Sequence, residues 1–141
     1  AAGGGADAAT GVIIVDHGSR RPASNDALLA FVDQYAATTG RELVEPAHME
    51  LAAPSIADAF GRLVERGASR VVVSPLFLFP GRHVQEDIPE LVAAAAEAHP
   101  DVEVTIADPI GMHPLVAAAL DQQLEAALGA DAPAGAAPPA A

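Results

Sequence analysis

Four short apolar runs, each followed by a stretch of helical periodicity, predict an α/β protein: a three-layer domain whose helices flank a four-stranded parallel sheet. Two further observations support that class. The run Arg70–Phe79 is almost continuously apolar, as strands covered on both faces are. The intervals between runs each have room for one helix, so successive strands are joined by right-handed crossovers and lie parallel. With 141 residues, 51% of them hydrophobic and 18% charged, the chain has material for one core and one domain. That domain is expected over residues 11–128. Ala1–Thr10 and Gly129–Ala141, rich in Ala, Gly and Pro without apolar periodicity, are expected to be unstructured.

Gly11–Val15 reads as a buried strand that opens into Asp16-His17-Gly18. A helix is expected from about Ser24, with Leu28, Phe31, Val32 and Tyr35 on one face and Gly40 as its stop. Glu42–Met49 is the second strand; Pro46 within it marks an edge position or a bend, since proline cannot donate to a ladder. The next helix opens near Pro54, buries Ile56, Phe60, Leu63 and Val64, and stops at Gly67. Arg70–Phe79 is the third strand. Asp87-Ile88-Pro89-Glu90 has the form of a capping box, with Asp87 as the cap, opening a helix that buries Leu91, Val92 and Ala95. Val102–Ala107 is the fourth strand, and His113-Pro114 opens a last helix with Val116, Leu120, Leu124 and Leu128 on one stripe.

Composition excludes several function classes. A formal net charge of −12 argues against a general nucleic-acid or anionic-membrane binder, which needs a basic surface. No apolar run approaches the roughly 20 residues that span a bilayer, and no signal-peptide pattern is visible. With no cysteine, the chain carries no disulfide, thiolate metal site, cysteine-ligated iron–sulfur cluster or cysteine nucleophile. All seven basic residues are arginine, and Arg20, Arg21 and Arg82 fall in just two short stretches. An acidic chain can still take an anionic small molecule where cations are concentrated in this way.

In open parallel sheets, ligands bind outside the carboxyl ends of the strands. That rim collects Asp16-His17-Gly18-Ser19-Arg20, His48 and Glu50, Pro80-Gly81-Arg82-His83, and the stretch from Asp108 to His113. His17 and His83 end two strands expected to be neighbours. Two imidazoles converging on one cleft suit a divalent metal with open coordination positions, or proton transfer. Glu50 can lend a carboxylate to an ion or accept a proton, and Glu86 could serve similarly. Arg20, Arg21 and Arg82, with the Ser19 turn, suit an anionic ligand, because the guanidinium fork binds carboxylates in bidentate fashion. His48 is expected to be packed, His113 to mark a helix entry, and His99 to sit at a helix C-terminus. Nucleotide and serine-hydrolase sites are poorly supported: there is no Walker lysine, no G-x-G-x-x-G and no G-x-S-x-G.

Three stretches carry a resemblance. V-D-H-G-S-R-R (Val15–Arg21) with Asn25, V-E-P-A-H-M-E-L-A-x-P-S-I (Val44–Ile56), and V-V-V-S-P-L-F-L-F-P-G-R-H (Val71–His83) with D-I-P (Asp87–Pro89) closely resemble the small sirohydrochlorin chelatases. Val44–Glu50 and Phe79–His83 look most like the plant and algal plastid form, a ferrochelatase. The resemblance covers about residues 11–125. It implies a chelatase-like (flavodoxin-like) fold, metal handling by His17 and His83, Glu50 in the active site, a homodimer and a plastid stromal location, with a cytoplasmic one as the alternative. The plant form usually ends in a cysteine-rich segment for an iron–sulfur cluster, whereas this chain has an Ala/Pro-rich stretch and no cysteine.

The expected reaction inserts a divalent metal, Fe²⁺ in the plastid form, into sirohydrochlorin, with no cofactor beyond that metal. His17 and His83 would hold the ion or accept ring protons, Glu50 would assist, and Ser19, Arg20, Arg21 and Arg82 would bind the substrate's carboxylates. Imidazole and carboxylate ligands also accept Co²⁺ and Ni²⁺, so a cobalt or nickel chelatase is an alternative. A non-catalytic tetrapyrrole or metal carrier using the same cleft is another, and a nucleotide-binding regulator is a distant third.

Overall fold

The computed structural model describes residues 9–129, and of His83 the backbone alone. Its elements follow in the expected alternation: β1 (Thr10–Asp16), α1 (Pro22–Thr39), β2 (Val44–His48), α2 (Ile56–Glu65), β3 (Arg70–Pro75), a π-helical turn (His83–Asp87), α3 (Ile88–Glu97), β4 (Glu103–Ile106) and α4 (Pro114–Gly129). Thr10 and Gly129 therefore belong to regular elements, and Ala9 lies in a turn whose carbonyl accepts from the Ser69 N–H; the rest of the two segments expected to be unstructured lies outside the described residues.

The four strands form one parallel sheet in the order β2-β1-β3-β4. Alternating side chains sort onto its two faces. One face carries Ile13, Val15, Val71 and Val73 against Ile56, Ala59, Phe60 and Leu63 of α2 and Ile88, Val92 and Ala95 of α3. Phe60 and Leu63 are wholly buried there. The other carries Val12, Ile14 and Val44 against Leu28 and Val32 of α1. Right-handed crossovers require this division: β1 to β2 runs one way along the sheet, while β2 to β3 and β3 to β4 run the other. α4 buries no residue and leaves Leu115, Leu120, Leu124 and Leu128 exposed, so its apolar stripe has no partner among the described residues.

Local chemistry explains the boundaries. β2 lies at the edge of the sheet, which is where Pro46 is tolerated. α1 opens at Pro22, two residues before Ser24, because proline is preset for the first helical position. It stops at Gly40, whose left-handed backbone (φ 74°) lets its N–H bond to the Ala36 carbonyl. α2 is capped by Ser55: its hydroxyl accepts from the Asp58 N–H, and the Asp58 carboxylate accepts from the Ser55 N–H. The Ser55 backbone N–H first, and the Ser55 side chain second, hold the Asp58 carboxyl below its ordinary range.

Three expectations are corrected. Leu91, expected to be buried by α3, is exposed. β3 ends at Pro75, not Phe79: Leu76 still donates to the Val15 carbonyl, but β1 then turns away and leaves nothing to pair with. Asp87 is not a cap. Its backbone is already helical (φ −72°, ψ −43°) and its side chain makes no capping bond, because the π-helical turn from His83 starts the helix earlier.

Candidate functional site

β1 and β3 are neighbours whose outgoing connections leave toward opposite edges, and the rim beyond their carboxyl ends is where sheets of this kind bind ligands. His17 follows β1 directly, Glu50 follows β2 by two residues, and the β3 connection carries Arg82 and the backbone of His83. The turn after His17 requires Gly18. Its φ is 92°, and a Cβ there would lie 1.9 Å from the Glu50 carbonyl oxygen. Asn25 on α1 then clamps Ser19 from both sides, accepting from its N–H (3.0 Å) and donating to its carbonyl (2.7 Å). The Ser19 hydroxyl accepts from the Arg21 N–H at 3.0 Å, so it builds the turn that delivers Arg20 and Arg21, both exposed.

The His17 imidazole and the Glu50 carboxylate meet at the rim. His17 Nε2 lies 3.1 Å from Glu50 Oε1, with the two side chains 41% and 53% exposed. His17 Nδ1 is 3.1 Å from the Gly18 carbonyl, which only accepts, so the contact puts a proton on Nδ1. The opposite nitrogen can then present its lone pair, as metal-ligating histidines do. Metal–ligand distances near 2.0–2.2 Å put two ligand atoms about 3 Å apart when they occupy adjacent coordination positions. The His17–Glu50 separation matches that spacing. With no metal between them, the imidazole and the carboxylate face each other directly at that distance. Leu51, immediately after Glu50, is the one non-glycine among the described residues with a positive φ (70°), a conformation that costs roughly 1 kcal/mol or more and recurs at functional turns.

A second imidazole–carboxylate pair lies just beneath. His48 Nδ1 is 2.6 Å from Asp16 Oδ1, and His48 is 1% exposed. His48 is therefore packed, as expected, but the part played by Asp16 was missed. Its signal needed the register that sets Asp16 opposite His48, and sequence alone does not supply one.

The remaining candidates sort as follows. Arg82 Nε pairs with Glu86 Oε2 at 3.1 Å, both exposed. His113 accepts from the Leu115 N–H through Nδ1 and so marks the entry to α4. His99 stacks on Phe60 with ring centroids 5.3 Å apart, away from the rim. Among the described residues no three His, Asp or Glu side chains form a metal cage. An apolar rim was not anticipated either: Leu78 and Phe79 after β3, and Ile110 and Met112 after β4, are all exposed. The two loops are stitched by the Ile110 N–H on the Phe77 carbonyl (3.2 Å), and Gly111 presses so close to the Leu78 backbone that no side chain would fit.

Comparison with known proteins decides the family. A model of the CbiX family matches residues 11–127. The chain belongs to the CbiX family. Over 117 residues it is 52% identical to the chloroplastic sirohydrochlorin ferrochelatase of Arabidopsis thaliana, a match covering 83% of this chain and 52% of that protein. It is 32% identical over 107 residues to the sirohydrochlorin cobaltochelatase of Saccharolobus solfataricus, covering 72% and 82%. The solved SirB from Bacillus subtilis with Fe³⁺ superposes with a TM-score of 0.78 at 29% identity, over 85% of this chain and 47% of that one. This family member thus spans about half the length of the Arabidopsis protein and of SirB, and its parallel α/β sheet is the chelatase fold.

Proposed function

We propose that this protein inserts a divalent metal ion into sirohydrochlorin, with Fe²⁺ as the natural metal. The observation that carries the reading is the His17–Glu50 pair, whose 3.1 Å separation suits adjacent ligands of one ion, at the carboxyl-end rim of the sheet where such folds bind ligands. Metallation must strip water from the ion and remove the inner N–H protons of the ring. An imidazole and a carboxylate in contact supply both needs, since His17 can take the ion or a proton and Glu50 can receive a proton from it. His83, which opens the π-helical turn beyond β3, is the second metal-handling imidazole in this reading. The metal is substrate, and no resident cofactor is invoked.

Substrate recognition divides by chemistry. Arg20, Arg21 and Arg82 bind the peripheral carboxylates, and the Ser19 turn holds the first two in place. Glu86 holds Arg82 until a substrate carboxylate competes for it. The exposed Leu78, Phe79, Ile110 and Met112 offer an apolar surface to the face of the macrocycle. Support for iron and for a plastid location comes from the Arabidopsis ferrochelatase; the Saccharolobus cobaltochelatase keeps Co²⁺ as the alternative metal.

The protein acts as a homodimer in this proposal. A second copy would cover the leucine stripe of α4, which otherwise stands in water, and would bring the assembly to the size of the longer relatives. Leu120→Glu with Leu124→Glu should yield a monomer on size-exclusion chromatography with light scattering; an unchanged dimer would reject that surface. For the activity, His83→Ala should fold normally and lose metal insertion, and full activity in that variant would remove His83 from the mechanism. A tetrapyrrole carrier would instead bind sirohydrochlorin without speeding its metallation.

A further inference from the structure

We infer that the buried Asp16–His48 pair is a positioning clasp that sets the geometry of His17 and Glu50, an inference that rests on the reading of those two as metal-handling groups. His48 is the one buried polar side chain among the described residues. A buried imidazole needs a partner for its ring N–H, and Asp16 Oδ1 at 2.6 Å provides one, the Asp16 side chain itself being 23% exposed. The carboxylate only accepts, so His48 Nδ1 donates.

The placement of the pair links it to the site. Asp16 and His48 are opposite partners in the last rung of the β1–β2 ladder, with side chains on the same face. Past that rung the two chains continue side by side: the Met49 N–H bonds to the Asp16 carbonyl (2.8 Å) and the Glu50 N–H to the His17 carbonyl (3.1 Å). The clasp is thus one residue before His17 and two before Glu50, on the same two strands. The Gly18 turn rests on it as well. A Cβ at Gly18 would lie 3.1 Å from His48 Cβ, so the turn at Gly18 lies close against the base of the His48 side chain. β2 is an edge strand paired on one side only, so the Asp16–His48 contact adds a side-chain tie to the backbone bonds that join its end to β1. His48 itself is too enclosed to touch a macrocycle. Its effect reaches the reaction through the residues it holds.

The test uses the full chain and three variants: Asp16→Ala, which removes the acceptor; Asp16→Asn, which keeps an oxygen for the His48 N–H; and His48→Phe, which keeps a ring and removes the donor. Metallation of sirohydrochlorin is followed by absorbance, and binding of Co²⁺ alone by titration. Supporting groups behind metal ligands are worth 10–100-fold in affinity or activity. Asp16→Ala and His48→Phe should therefore each lower kcat and Co²⁺ affinity by about 10–100-fold with KM for sirohydrochlorin near wild type, and Asp16→Asn should restore both to within about threefold. Either disruptive variant suffices if the other fails to fold. Wild-type kcat and Co²⁺ affinity in a folded Asp16→Ala or His48→Phe would overturn the clasp, as would Asp16→Asn being as damaged as Asp16→Ala. A wild-type chain that binds Co²⁺ but does not speed metallation would instead overturn the chelatase reading, while the Co²⁺ arm still decides the clasp.

Discussion

Two imidazole–carboxylate pairs stand within two residues of each other at the ends of the same two strands, and they differ in almost everything except chemistry. Asp16–His48 is short, at 2.6 Å, with the imidazole sealed from solvent. His17–Glu50 is looser, at 3.1 Å, with both groups about half exposed. One residue past the end of β1, the chain passes from a carboxylate that holds a buried imidazole to an imidazole exposed at the rim. Burial makes a pair hard to break and unable to reach a ligand; exposure makes it weak as a support and open to exchange with an ion. The two pairs illustrate how a sheet separates fixing a site from operating it.

Breaking the exposed pair should have the largest functional effect. His17→Ala should lower the metallation rate by about 10²–10⁴-fold, the usual contribution of a positioned acid–base group. The thermal unfolding midpoint should barely move, because an exposed pair contributes little to stability. Breaking the buried pair should show in stability: His48→Ala leaves Asp16 without its donor and opens a cavity, at a cost of about 2–4 kcal/mol in a denaturant titration. A cost below about 0.5 kcal/mol would make the contrast between the pairs false. Glu50→Gln keeps the shape of the exposed pair and loses its charge; about a tenfold loss in rate is expected, within the range found for groups that support metal ligands.

The smallest effect comes from a carboxylate outside both pairs. Asp58 is held below its ordinary range by the Ser55 cap. A carboxyl depressed on folding adds stability that is fully present above its unfolded pKa and is lost as pH falls through the lower folded value. Asp58→Asn should flatten the acid limb of stability below about pH 4 and leave metallation untouched. A changed rate at neutral pH would mean that the α2 cap communicates with the rim.

The parallel sheet, its edge strand and the residues at its rim were legible because they follow from short-range patterns. Val-rich runs mark strands, Pro46 marks an edge, and the ends of strands fix which polar residues can meet a ligand. His17, Glu50, Arg20, Arg21 and Arg82 all emerged this way. What stayed hidden depends on register or on packing between distant segments. Nothing local shows that Asp16 faces His48, that Asn25 clamps Ser19, or that Gly111 lies on the Leu78 backbone. The π-helical turn also escaped, since D-I-P reads locally as a cap and the helical turn before it has no comparable sequence mark. The leucine stripe of α4 was visible as a stripe, but its lack of any internal partner was not.

The most direct test is a time course of sirohydrochlorin metallation by Fe²⁺, with and without the full chain, under anaerobic conditions. The account predicts that the protein speeds appearance of the metallated chromophore at catalytic concentration, with repeated turnover. Stoichiometric binding of sirohydrochlorin with no gain in rate over the uncatalysed reaction would contradict it.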